Sequence, residues 1–329
     1  MEPATISVSE SAELVGRELL AIKPGENVSI VIDDHSAMEM VRALADVAAS
    51  AGAEWAILHQ PSRPPERKNE LGPIVEAGFE KTDVLISLTG SGGAPAYAAR
   101  VKELLAAKRI RTMSMVMRDL SNFTSGGALA DYRALYAEGL ALAAIWAAGH
   151  TMHITTEAGT DIAAPIGFDT VVVECGYATE PGRNAAFSDG EVSSRPLEGD
   201  AEGVIAIDGP GTGIARPAAP ILVEVRAGRA VSVSGEGPEA GHLRHILETV
   251  PDADNIAEFG IGLNAASLRN GSFQEEKKAR GNVHIAFGDN IYYGGTVRCP
   301  VHLDMVIYRP TVRLDDRVLV ENGVVRLDP

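Results

Sequence analysis

EFGIGLNAASLRNGSFQEEKKARGNVHIAFGDNIYYGGTVRCPVHLD, residues 258–304, gathers Glu258, Glu275, Glu276, His284, His302 and Asp304 in one stretch. The run VHLDMVIY from Val301 alternates as a strand does, so His302 and Asp304 point to one face. His284 lies in a second strand-like run, NVHIAFG, and Glu258 in a third, IAEFGIG. An imidazole and a carboxylate side by side on a strand face make half of a metal site. A histidine in a strand can equally be a hydrogen-bonded structural residue. Gly260, Gly262, Gly281, Gly288, Gly294 and Gly295 bracket these runs, and glycine among strands marks tight turns or close backbone approach. The residues alone leave both roles open.

Outward from this stretch, the period changes along the chain. NVSIVIDD (27–34), AEWAILHQ (53–60), TDVLISLT (82–89) and RIRTMSMVM (109–117) read as apolar strands. Helical patterns lie between them, at 35–52, near 72–80 and at 94–107, and another, at 9–22, precedes them with Ser9 or Ser11 as its cap. This rhythm predicts a doubly wound parallel sheet, an α/β N-terminal domain over 1–125. A helical pattern at 126–149 links it to the rest. From His150 to the end, short alternating runs and glycine turns predict an α+β, β-rich C-terminal metal-binding domain over 150–329. Hairpins are expected around Ala227-Gly228 and Asn322-Gly323.

Two loops of the first domain follow strand ends, where such sheets bind ligands. In one, Asp33-Asp34-His35, Asp34 is expected to cap the next helix. The other, Thr89-Gly90-Ser91-Gly92-Gly93, has neither a Walker pattern nor a full G-x-G-x-x-G and reads as a turn. His242 and His245 share a helix face and read as solvent-exposed, and His150 and His153 point to opposite faces of a strand.

A net charge of −16 argues against nucleic-acid and anionic-membrane partners. The two cysteines, Cys175 and Cys299, offer no disulfide framework and suggest a reducing compartment. The N-terminal residues lack a basic segment followed by an apolar one, so a cytoplasmic protein is expected.

The succession Glu258-x-Gly260-x-Gly262-x-Asn264, His284-Ile285-Ala286-x-Gly288-x-Asn290, Gly294-Gly295 and His302-x-Asp304 resembles the C-terminal half of the aminopeptidase T metallopeptidases. It is also similar to their shorter relatives, which include 2,5-dihydroxypyridine 5,6-dioxygenase. The likeness is clearest over 256–323 and fainter over 149–236. It implies a metal site of Glu191, Glu258, His284, His302 and Asp304; by itself Glu191, in SDGEVSSRP, reads as a turn carboxylate. The first activity it implies is hydrolysis of an amide or peptide bond by a water activated on one or two divalent ions (Zn, Mn or Co). In that scheme Tyr292 takes the place of a family tyrosine expected at Ile291, and Glu276, or its neighbour Glu275, serves as general base, although E-E-K-K reads first as a solvated face. The alternative is a non-haem Fe(II) ring-cleaving dioxygenase, with His284, His302 and Asp304 as two histidines and a carboxylate on one ion. Chain length favours that alternative; Glu258 opposes it, because those dioxygenases use a histidine in this region. The resemblance also implies a small-molecule or short peptide substrate and a homo-oligomer.

Overall fold

The computed structural model describes residues 4–63, 67, 69–90, 96, 98–116, 119–167 and 171–327. The expected glycine turn at 91–93 lies outside the described residues, as do parts of the loop at 61–69. The chain divides into two compact units, one of Met1–Leu129 with Cys175–Asp189, the other of Ala130–Glu174 with Gly190–Pro329.

In the first unit the four apolar runs become β1 (Asn27–Ile32), β2 (Glu54–His59), β3 (Val84–Thr89) and β4 (Arg111–Val116). They lie parallel in the order β2-β1-β3-β4, and a short strand β8 (Asn184–Ala186) from much later in the chain adds to β4, also parallel. Strand order reverses between β1 and β3. β3 is buried at every position and β1 at all but its first, which explains why both read as continuous rather than alternating apolar runs. The helices are α1 (Val8–Glu13), α2 (Met38–Ser50), α3 (Pro73–Gly78), α4 (Ala99–Ala106) and α5 (Ser121–Thr124). Val31 and Leu85 of the sheet pack with Val75, Phe79, Val101 and Leu104 into one apolar cluster.

Two local expectations are corrected here. Ser7, rather than Ser9 or Ser11, caps α1: its hydroxyl accepts from Glu10 N at 3.1 Å while Glu10 accepts from Ser7 N at 2.7 Å, a reciprocal box. The helix then continues as a π turn over Leu14–Leu19. Asp34 does not cap α2, which starts at Met38 with no side-chain cap; its carboxylate accepts from Ser62 N at 2.9 Å and contacts His59. Asp33 instead holds the turn, accepting from His35 N and Gly90 N.

The second unit begins with α6 (Tyr132–Ala147), whose N-cap Asp131 accepts from Arg133 N and Ala134 N. One antiparallel sheet is built from β5 (Thr151–Thr155), β6 (Asp161–Pro165), β10 (Glu202–Ile207), β11 (Ile221–Arg226), β12 (Arg229–Ser234), β16 (Thr311–Leu314), β17 (Arg317–Glu321) and β18 (Val324–Val325). Its hairpins turn at Ala227-Gly228 and Asn322-Gly323, all four residues with positive φ, as two-residue turns between strands require. The other antiparallel sheet takes β7 (Val172–Glu174), β9 (Glu191–Ser194), β13 (Ile256–Gly262), β14 (Val283–Gly288) and β15 (His302–Ile307), in the order β15-β14-β13-β9-β7. Two helices complete the unit, α7 (Pro238–Thr249), on which His242 and His245 are exposed, and α8 (Phe273–Lys278), which packs on β13 and β15. A parallel sheet with helices is thus followed by a β-rich unit. Among the described residues no helix is long and apolar enough to cross a membrane.

Candidate metal centre

Register in the five-stranded sheet decides which side chains meet. Glu258 lies opposite Ala286, and Ala286 opposite Asp304. Two residues away on β14, His284 lies opposite Gly260, and on the other side Gly288 lies opposite His302. Glu191 on β9 lies opposite Gly262. Residues directly opposite in antiparallel strands share a face, so Glu191, Glu258, His284, His302 and Asp304 all stand on one side of this sheet. The positions between them are Gly260, Gly262, Ala286 and Gly288, which leave room for the charged side chains. At Gly260 the fit is closest: a Cβ there would overlap the His284 ring. The reverse face carries Phe259, Ile261, Ile285, Phe287, Leu303 and Met305, all buried.

Glu258 is the hub. Its Oε1 accepts from His284 Nε2 at 3.0 Å and its Oε2 from His302 Nε2 at 2.9 Å. His302 Nδ1 donates to the Asp289 carbonyl at 2.7 Å, which fixes the ring and aims Nε2 at the carboxylates. Asp304 Oδ1 is 3.3 Å from His302 Nε2, and Glu191 Oε2 is 3.7 Å from His284 Nε2. Two candidate ligand groups result, Glu191–Glu258–His284 and Glu258–His302–Asp304, each with donor atoms within 4.8 Å of one another. The expected triad of His284, His302 and Asp304 does not form one group. His284 on β14 and His302 on β15 stand at opposite ends of that strand pair, and Glu258 lies between them, bonded to both. Each group therefore has one imidazole and two carboxylates.

α8 closes the face, and here the sequence misleads. E-E-K-K is not a solvated surface: Glu275, Glu276 and Lys278 are buried. Lys277 Nζ lies 3.1 Å from Asp304 Oδ2 and 3.4 Å from Glu191 Oε1, and Lys278 Nζ 3.0 Å from the same Glu191 oxygen. Glu276 points elsewhere, accepting from Gly271 N and from the Tyr308 hydroxyl. Tyr292 is exposed, and its hydroxyl donates to Glu174 Oε1 at 3.3 Å. Its neighbour Tyr293 is the buried one, its ring stacked on His302 with centroids 6.0 Å apart. Lys277, Lys278 and Tyr293 had no signal beyond their nearness to the ligand motif.

Electrostatics follow from this crowding. Burial alone would raise the Glu191 carboxyl, but the charges of Lys277, Lys278 and His284 hold it at about 2. Burial opposes the charge of Lys277 as well, yet Asp304, Glu191, Glu258 and Glu174 hold its ammonium well above the usual range. His302 is pushed well up despite burial by Asp304 and Glu258, and burial together with the same carboxylates keeps the Tyr293 phenol protonated. Three ionised carboxylates on one buried face are costly without cations. Oxygen-rich donors with one imidazole fit a divalent ion such as Fe(II), Mn(II) or Zn(II), so these residues suit a metal. Of the five side chains only His302, 31% exposed, reaches solvent appreciably; Asp304 is 9% exposed and the others are sealed.

Comparison with known proteins now separates the two activities. A curated relative, 2,5-dihydroxypyridine 5,6-dioxygenase of Pseudomonas putida KT2440, is 29% identical over 191 residues. That match covers 53% of this chain and spans about half the length of the relative, 54%. The solved structure of 2,5-dihydroxypyridine dioxygenase from the same organism shares the fold, with a TM-score of 0.80, 21% identity and 98% of each chain covered. Wild-type AmpT from Thermus thermophilus shares it less closely, with a TM-score of 0.70, 20% identity, and 97% of this chain and 98% of that one covered. The model of the family described as NicX, 2,5-dihydroxypyridine 5,6-dioxygenase, matches residues 15–327. That match overturns the expected amide hydrolase of the aminopeptidase T type: the motif is common to both groups, whereas the whole-chain match is to the dioxygenases. With nearly its full length matched, the chain belongs to the 2,5-dihydroxypyridine 5,6-dioxygenase family.

Proposed function

We propose that this protein is a ring-cleaving dioxygenase for a hydroxylated nitrogen heterocycle, 2,5-dihydroxypyridine or a close analogue. Both atoms of O2 are added across one carbon–carbon bond of the ring. The observation that carries this is the family match over residues 15–327; the buried donor set supports it. Glu258, His302 and Asp304 would hold the ion, with Glu191 and His284 behind them. Iron(II) bound there would supply the one-electron chemistry by which a ring and O2 react.

The chain's own groups do the rest. Asp289 orients His302 through Nδ1. Tyr293 stacks a flat aromatic face on His302, and its phenol stays protonated, so its O–H can donate a hydrogen bond. Near-complete burial of the other ligands keeps water from that side of the centre. The substrate is a small molecule, and assembly into a homo-oligomer, carried over from the resemblance, belongs to the same proposal.

The test is oxygen uptake by protein purified anaerobically and loaded with iron(II). Equimolar consumption of O2 and 2,5-dihydroxypyridine, with loss of the ring's absorbance, is expected. No uptake with any dihydroxylated pyridine, by protein that demonstrably holds iron, would overturn the proposal.

A further inference from the structure

The lysines of α8 are unusual neighbours for metal ligands, and Lys277 more so than Lys278. Its ammonium spans the two candidate groups, touching Asp304 of one and Glu191 of the other. We propose that Lys277 is a built-in cation standing in for a second metal ion, so that the centre holds one divalent ion, at Glu258–His302–Asp304. The inference rests on this sheet face being a metal centre, as proposed above.

Three observations carry it. Charge comes first. Strand register puts four carboxylates, Asp304, Glu191, Glu258 and Glu174, on this sheet face, and Lys277 touches two of them. Lys277 and Lys278 neutralise two of these four charges, and a single divalent ion neutralises the remainder. A second divalent ion would leave two uncompensated positive charges on a buried face, a costly arrangement. Access comes second. Glu191, Glu258 and His284 are sealed from solvent, whereas His302 is 31% exposed. An ion that must keep open positions for substrate therefore belongs at the His302 end.

The third observation is that the lysines cannot withdraw with their backbone. Glu275 accepts from Leu268 N at 2.7 Å, Glu276 ties to Tyr308 and Gly271, and the Lys278 carbonyl accepts from Asn264 N at 2.9 Å. The end of α8 lies so close to β13 that a Cβ at Gly262 would overlap the backbone carbonyls of Lys278 and Ala279.

Manganese(II) titration of the metal-stripped full chain tests this, read by elemental analysis after desalting and by electron paramagnetic resonance. The wild type should retain about one ion per chain with the spectrum of an isolated ion, and Lys277→Met about two with an exchange-coupled spectrum. Lys277→Arg, which keeps the charge, should restore the wild-type count. Should Lys277→Met fail to fold by circular dichroism, Lys277→Gln takes its place. Two ions in the wild type, or one in the folded charge-free variant, would overturn the role of Lys277 while leaving the metal centre intact. No ion in the wild type would overturn both. One bound ion without oxygen uptake from the iron-loaded protein would count against the dioxygenase alone.

Discussion

At the scale of single residues, the centre depends as much on what is missing as on the ligands. Gly260 has no side chain because the His284 ring occupies that space. Gly260→Ala should displace the ring, destabilise the fold by about 1–3 kcal/mol and weaken metal uptake; urea denaturation and metal analysis on one preparation would show both. In the first unit Arg111, 1% exposed, donates to both carboxylate oxygens of Glu26 and to the carbonyls of Leu20 and Ala21. Arg111→Met should cost about 3 kcal/mol, since it strands a partly buried carboxylate. Burial alone would raise the Glu26 carboxyl, but the hydrogen bonds and charge of Arg111 hold it below the usual range. A carboxyl depressed in the folded state stabilises above its unfolded value, and that contribution is lost as pH falls through the folded one. Glu26→Gln should therefore lower stability near neutral pH and flatten its decline toward acid, as measured by urea midpoints across that range.

At the scale of elements, how much could be read in advance depended on how local the deciding contact was. His302 and Asp304 share a face because strands have a period of two, which any reader of V-H-L-D-M can count. The turns at Ala227-Gly228 and Asn322-Gly323 were equally legible, because the need for positive φ is local. Ser7 was legible too, as S-x-x-E over 7–10, but the serines at 9 and 11 stood nearer the expected helix start. Ser7→Ala should cost about 1 kcal/mol, read as a lower midpoint in thermal or urea unfolding. α8 was not legible. Six residues with two glutamates and two lysines look solvated by composition, and only β13 and β15, brought over them by distant pairing, bury them. The choice between Tyr292 and Tyr293 failed for the same reason. A 3-10 turn over Ile291–Tyr293 decides which ring lies on His302, and neighbouring tyrosines carry no mark of it. The choice of amide hydrolysis over ring cleavage failed because the ligand motif serves both groups of relatives.

At the scale of the molecule, the metal should be part of the stability. The candidate ligands come from four strands, and an ion that binds only the folded chain adds free energy as the logarithm of one plus the ratio of its free concentration to Kd. At a free concentration about a hundredfold above Kd, iron(II) or manganese(II) should add about 2.7 kcal/mol, seen as a higher anaerobic Tm that a chelator reverses. His302→Ala should lose the shift, and its metal-free Tm should fall as well, because the buried Glu258 loses the hydrogen bond from His302 Nε2. The parallel sheet of the first unit and the β-rich character of the second were both readable from the change of period near His150. What the period did not reveal was that residues 175–189 return to the first unit, where β8 adds an edge strand to the sheet.

The pairing of Ala286 with Asp304 and Gly288 with His302 has a consequence for how preparations of this protein should be judged. Slippage of β15 by a single residue would turn His302 and Asp304 to the apolar side and present Leu303 and Met305 to the carboxylates. Such a chain could keep its sheet yet hold no ion. Incomplete metal content in a purified batch would then count misaligned molecules as well as weak affinity, and loading that plateaus below full occupancy at saturating metal would measure the fraction that folded in the wrong alignment.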